Sequence, residues 1–276
     1  MRAAIDFGLT NLDIVVEDAD GRFQMHTIPA SDAVDVAQLE RAIYTTGHAG
    51  VDFDSIIVTG GQHRRLPSQY GDIPIRGVSE VNAIGRGGLY LANLREALVV
   101  SAGSGTAMIA ACDSSFRHAT GSAVGGGTLQ GLGSLLLGTA DAREIDELAA
   151  LGDSNAVDLT LLEATGGALG HLPADANAVN FGRIPRMAGS DARWIPSRAD
   201  VAAGLVVMVG QVIAVIAINA ARAEGLEQIV VVGHLVDLPG VRRVLATVAG
   251  YYGAQIMVPE TPGYATAIGA LISDSS

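Results

Sequence analysis

The sequence contains no lysine; all 17 of its basic residues are arginine. That absence excludes a Walker-type phosphate loop, a Schiff-base lysine and a Ser-Lys dyad, each of which needs the amine. There is one cysteine, Cys112, so the chain can form neither an intrachain disulfide nor a Cys-rich zinc site. Aromatic residues make up only 4%, and 29 acids outnumber the basic residues, for a net charge of −12. A chain this acidic and this poor in stacking rings is not built for general nucleic-acid binding. The six histidines show no metal-ligand spacing such as His-Glu-x-x-His, so no zinc site is expected. A Gly-x-Ser-x-Gly elbow and a strict Gly-x-Gly-x-x-Gly fingerprint are also missing, which removes the usual support for a hydrolase or a dinucleotide oxidoreductase.

Targeting signals are equally sparse. No secretory signal fits the first residues, because Asp6 falls where an apolar core should run; a cytoplasmic protein is expected. Val201 to Ala221 carries no charge and is long enough to cross a bilayer. Inside a Gly-rich chain with a further strand–helix pattern after it, the stretch reads as a helix buried in the protein or at a subunit contact, not as a membrane span.

Glycine is abundant, with 35 of 276 residues, roughly twice its usual share. Apolar residues reach 49%, enough for a sizeable core and for one large or two modest domains. Ile5 to Leu12 and Ile14 to Val16 read as a hairpin with a polar tip. Ala97 to Ser101 and Ala107 to Ala111 form a second, around Gly103-Ser104-Gly105-Thr106. Helical periods run over Val36–Tyr44, Glu80–Leu94, Gly125–Leu137, Ala142–Leu151, Val201–Ala223, Val241–Tyr252 and Thr266–Ile272; Ser55–Thr59, Ile229–Val232 and Ile256–Val258 read as strands. Residues 152–200 are mixed and loop-rich. Alternating strands and helices argue an α/β fold, and two similar hairpins argue an internal duplication. The boundary falls near Glu96, giving domains 1–96 and 97–276.

Small residues at a hairpin tip let backbone N–H groups and hydroxyls converge on one anion. Gly8, Thr10 and Asn11 at one tip, and Ser104, Gly105 and Thr106 at the other, suit two faces of a polyphosphate. Gly125-Gly126-Gly127-Thr128 sits at a helix start, where free N–H groups and the helix dipole favour phosphate. Asp6 suits Mg²⁺, which takes few carboxylates and keeps its waters. Glu80 is a candidate base for an attacking hydroxyl. Taken singly, each glycine turn also reads as an ordinary turn, Asp6 as a turn residue and Glu80 as a helix-start carboxylate. His63-Arg64-Arg65 reads best as a solvated basic loop.

Taken in order, these pieces resemble the acetate kinase–sugar kinase–actin superfamily, and within it the type II pantothenate kinases. The resemblance runs nearly end to end, through Asp6-Phe7-Gly8-Leu9-Thr10, Thr59-Gly60-Gly61, Val78-Ser79-Glu80-Val81, Gly103-Ser104-Gly105-Thr106, Gly125 to Leu132 with Gly131, Asn180-Phe181-Gly182 and the turn at Gly233. It implies two actin-like, ribonuclease H-like domains with a nucleotide cleft between them. It also implies a homodimer with the long apolar helix near the subunit contact, and ATP and Mg²⁺ as cofactors. The implied reaction is phosphorylation of pantothenate to 4'-phosphopantothenate, with Glu80 as general base. Gly103, Arg117, His118 and Gly121 fall in the substrate-binding region.

Four positions depart from the family pattern. Leu9 stands where a second glycine is usual, and Asp13 where a lysine is usual. His118 takes the place of the arginine that grips the substrate carboxylate, with Arg117 beside it, and His234-Leu235 follows Gly233 where small residues are usual. These departures keep two alternatives in view: a kinase of the same fold acting on another small hydroxyl compound, and a degenerate nucleotide- or acyl-CoA-binding regulatory protein.

Overall fold

The apolar runs at the N-terminus form strands β1 (Arg2–Phe7) and β2 (Asn11–Glu17) in a computed structural model that describes residues 1–31, 33–48, 53–188 and 195–273. β3 (Phe23–Pro29) continues the meander. Helix α1 (Val36–Thr45) starts where the Asp35 carboxylate accepts from the Gln38 N–H, a side-chain N-cap. β4 (Ser55–Thr59) returns parallel to β1, and β5 (Gln69–Tyr70) and β6 (Ile73–Gly77) complete a six-stranded sheet in the order β3-β2-β1-β4-β6-β5. Helix α2 (Glu80–Ala92) follows, capped by Ser79 and ended by Asn93 in the left-handed region.

The second half repeats the plan. β7 (Glu96–Ala102), β8 (Thr106–Cys112) and β9 (Ser115–Ser122) form a meander. Then come α3 (Gly126–Leu137) and α4 (Ala142–Ala149). The loop-rich segment holds β10 (Leu159–Thr160), α5 (Leu161–Thr165), β11 (Asn177–Val179) and α6 (Arg183–Ala188). Helix α7 (Arg198–Glu224), strand β12 (Gln228–Val232), helix α8 (Pro239–Tyr252), strand β13 (Gln255–Met257) and helix α9 (Ala265–Ser273) complete the chain. The second sheet runs β13-β12-β7-β8-β9, with β12 parallel to β7 as β4 is to β1. The two sheets share five strand positions in the same order, as the duplication expected from the two hairpins requires, and β5 has no counterpart in the second.

Alternation along the strands divides each sheet into two faces. Ala3, Ile5 and Phe7 pack with Leu39 and Ile43 of α1, whereas Ala4, Val15 and Ile57 pack with Ile268 and Leu271 of α9. Leu98, Val100 and Met108 pack on α3 and α7, whereas Val99, Ile109 and Val232 pack with Ile84 and Leu89 of α2. The two halves therefore exchange their final helices: α2 lies on the second sheet, α9 on the first, and the pair packs together between them. Glycine makes that contact possible. A Cβ at Gly87 would collide with the Ala265 carbonyl, and one at Gly269 with the Ala83 carbonyl.

α7 begins three residues earlier than its apolar pattern. Ser197 and Asp200 form a reciprocal capping box there, which satisfies two end N–H groups. It is the one described helix long and apolar enough to cross a membrane. Ala202, Leu205, Val209, Ile213, Ala217 and Ile218 are nevertheless buried in the core of the second half, as the buried-helix expectation required.

Candidate functional site

The two hairpin tips meet. Thr10 Oγ1 lies 2.7 Å from Ser104 Oγ, joining residues 94 apart in the chain. Each hairpin base is backed by a glycine that ends the neighbouring parallel strand. Gly60 follows β4 at φ +94, and a Cβ there would press on Phe7 and the Asp6 carboxylate. Gly233 follows β12 at φ +97, and a Cβ there would press on Ala102. Such backbone angles strongly favour glycine.

Asp6 closes β1 on the face turned toward α9 and the second half. Directly across the ladder is Asp13, and Thr59 lies beside Asp6 in the parallel register. The Thr59 hydroxyl is buried without a hydrogen-bond partner among the described residues. The Asp6 pKa is pushed up to about 8. Burial is the largest cause, followed by the negative charges of Asp13 and Glu80, with His234 pulling the other way. Glu80 is exposed at the first turn of α2, near enough for its charge to act on Asp6. A buried carboxylate with two further carboxylates acting on it suits a nucleotide-borne Mg²⁺ at Asp6. No group of three or more metal-ligating side chains occurs among the described residues, so a resident metal finds no cage here.

His234 sits in the 3₁₀ turn His234–Asp237 that follows Gly233. Its Nε2 lies 2.8 Å from Asp13 Oδ1 and its Nδ1 2.8 Å from Asp237 Oδ2. These hydrogen bonds, against the opposing cost of burial, raise its pKa to about 10. Thr27 Oγ1 donates to the same Asp13 oxygen at 2.7 Å and accepts from the Tyr264 hydroxyl at 3.0 Å, and the Tyr264 ring stands edge-on to the imidazole at 5.8 Å.

The second tip lies on the start of α3. Gly126 N–H donates to the Gly103 carbonyl at 2.8 Å and Gly127 N–H to the Ser104 carbonyl at 2.9 Å. Two N–H groups expected to face a phosphate are therefore spent on the hairpin, and a Cβ at Gly125 would collide with the same tip. Thr128 Oγ1 accepts from the Gly125 N–H, and the Thr106 hydroxyl donates to the Val124 carbonyl. Gly131 is exposed one turn further along α3, with open space before it. At the first tip, Gly8 leaves room for the Asn11 carbonyl, and Thr10 is exposed.

Arg117 and His118 lie on β9 and, as neighbours, point to opposite faces. Arg117 pairs with Glu224 at the end of α7, away from Glu80. His118 is two residues beyond Phe116, whose ring fills the space left by Gly85 of α2, so it faces the α2 side with Gly121 beside it. The Asn180-Phe181-Gly182 turn is organised by buried Asp158, which accepts from the Phe181 N–H at 2.7 Å; burial raises the Asp158 pKa to about 6. The structure thus brings together Asp6, Glu80, both tips, Gly233 and the α3 glycines, and leaves Arg117 apart. Sequence reasoning missed the Asp13–His234 link and its supports Thr27, Asp237 and Tyr264. The signals were a reversed charge and an intruding histidine, read as separate departures.

Residues 92–273 match the Fumble family. The chain is 29% identical over 282 aligned positions to a type II pantothenate kinase of Staphylococcus aureus, covering 98% of both chains. It also resembles the activator of the 2-hydroxyisocaproyl-CoA dehydratase from Clostridium difficile with bound ADPNP, at a TM-score of 0.67, 17% identity and coverage of 99% and 93%. A third similarity is to a ROK family glucokinase from Streptomyces griseus in complex with glucose and AMPPNP, at a TM-score of 0.56, 14% identity and coverage of 98% and 97%. These two likenesses fix the fold as actin-like.

Proposed function

Because the chain belongs to the Fumble family, that of the type II pantothenate kinases, and is a small-molecule kinase, we propose that it phosphorylates pantothenate to 4'-phosphopantothenate with ATP. What supports this reading is the contact of the two hairpin tips through Thr10 and Ser104, with Asp6 near the first tip and the charge of Glu80 acting on it. The nucleotide lies between the domains 1–96 and 97–276, with its phosphates against Gly8, Thr10, Asn11, Ser104, Gly105 and Thr106. Gly125, Gly126, Gly127 and Thr128 shape the bed of the second tip, and Gly131 and Gly233 border the nucleoside.

Glu80 accepts the proton of the substrate hydroxyl as its oxygen attacks the γ-phosphorus. The bond from that phosphorus to the β–γ bridging oxygen breaks, and ADP leaves. Asp6 would hold Mg²⁺, which would supply charge neutralisation for the phosphates. Incubation with Mg-ATP and pantothenate is expected to give a product heavier by one phosphoryl group in the mass spectrum. Glu80→Gln is expected to cut its rate by about 10²–10⁴-fold; an unchanged rate refutes the base.

A second reading rests on β9. With Arg117 tied to Glu224, the substrate side is left with His118, which lacks the permanent fork of an arginine. That favours an acceptor without a carboxylate, and pantetheine outrunning pantothenate in a panel of hydroxyl compounds would establish it. The same proposal takes the protein as a cytoplasmic homodimer. Support comes from half-buried Met208, Val212 and Ile216 on α7 and from a groove of about 290 Å³ between α7 and α8, lined in part by Val207, Val215, Val244 and Tyr252.

A further inference from the structure

Asp6 and Asp13 oppose each other in the β1–β2 ladder. Burial keeps Asp6 protonated, but a carboxylate at Asp13 beside a polyphosphate site repels its ligand. A cation is needed there, and the second half supplies one from across the cleft. His234 presents Nε2 to Asp13 and Nδ1 to Asp237. Carboxylates only accept, so each ring nitrogen carries a proton and the ring is an imidazolium. The seat is built for it: a Cβ at Gly263 would occupy the space of the ring, Tyr264 borders it edge-on, and Thr27 fixes Asp13 from β3.

We propose that His234 is a positioning residue of the nucleotide site, whose imidazolium offsets the Asp13 carboxylate from the opposite half of the cleft. Both ring nitrogens are engaged, so His234 acts through Asp13 and through its charge and does not donate to the phosphates. Because the partners are 221 residues apart, on β2 and on the turn after β12, the charge balance of the first hairpin exists only while the two halves are held together. The inference rests on reading the cleft as an ATP site.

The test is a double-mutant cycle in fluorescent ADP binding, which needs no acceptor. His234→Ser strips the cation, and Asp13→Lys sets a lysine against the imidazolium; each is expected to weaken binding by about tenfold or more. The double variant moves the cation to the other side of the cleft, opposite Asp6, and is expected to bind within about threefold of the parent. The near-isosteric cycle Asp13→Asn with His234→Asn, with thermal unfolding of every variant, covers a failure to fold. Ring ¹⁵N spectra of the parent are expected to show one histidine doubly protonated at roughly pH 8, where a free histidine is neutral, and to lose it in Asp13→Asn. If ADP binds and both cycles are additive, the inference falls and the kinase reading stands. If ADP does not bind the parent, the reading of the cleft falls, and this inference with it.

Discussion

The two hairpins are copies in backbone and opposites in charge. One step below its tip, the first carries Asp6 facing Asp13; the second carries Ser101 facing Ala107 at the matching place. Their supports differ as well. The first tip stands in solvent, with Leu9 82% exposed, and is tied to the other half by the Thr10–Ser104 hydrogen bond. The second is pinned by the first N–H groups of α3. The shared plan thus fixes where the two tips meet, while the carboxylates are kept on one side. An acidic hairpin with an exposed tip faces a neutral hairpin braced by α3.

The comparison breaks most severely where the halves are joined. Gly87→Ala places a methyl on the Ala265 carbonyl. Backbone cannot yield as a side chain does, so a loss of about 3 kcal/mol or more is expected in urea unfolding. A loss below about 1 kcal/mol would mean that α2 and α9 slide. Next come the paired glycines. Gly60→Ala and Gly233→Ala share the positive φ and the collision with a hairpin base, so each is expected to cost about 2–4 kcal/mol. Similar costs sharpen the case for one plan used twice; a large difference would show that one base is free to adjust.

Of the two hairpins, only the first should contribute to the pH dependence, through Asp6 and the His234 that faces it from the other half. Asp6 titrates near 3.8 unfolded and about 8 folded, so it holds a proton in the native state between those values. Its contribution is full below the lower value and lost as pH rises through the upper. His234 goes from 6.5 to about 10, and its contribution is likewise lost toward high pH. Asp158, raised to about 6, adds a smaller loss of the same sign at lower pH. The melting temperature is therefore expected to fall as pH rises toward 10. Asp6→Asn should remove the limb ending near 8, His234→Asn the limb above it, and Ser101→Ala neither. A Ser101→Ala profile that departs from the parent's would contradict the asymmetry.

What the sequence disclosed follows the reach of each signal. Asp6, the 103–106 tip and the start of α2 at Glu80 were legible because turn glycines and an apolar period act over a few residues. β3 and β9 were not. β9 is a polar edge strand whose half-exposed Phe116 and exposed Arg117 and His118 show no apolar run, and β3 ends in Pro29 with alternate residues in solvent. The helix-start glycines 125–127 were placed correctly, yet their N–H groups went to the hairpin carbonyls, a tertiary contact that spacing does not carry. Asp13 and His234 were visible as anomalies 221 residues apart; only the fold pairs them.

The smallest expected effect isolates the bracing. The Thr10–Ser104 contact is exposed and neutral, so Thr10→Ala or Ser104→Ala should change stability by no more than about 1 kcal/mol. Amide exchange discriminates better than stability. Losing either hydroxyl frees the first tip from its tie to the other half, and exchange at residues 8–11 should quicken in both variants. Residues 103–105 keep their bonds from Gly126 and Gly127 and should exchange at the parent rate in both. Equal acceleration at the two tips would show that they brace each other, and that α3 does not hold the second one alone.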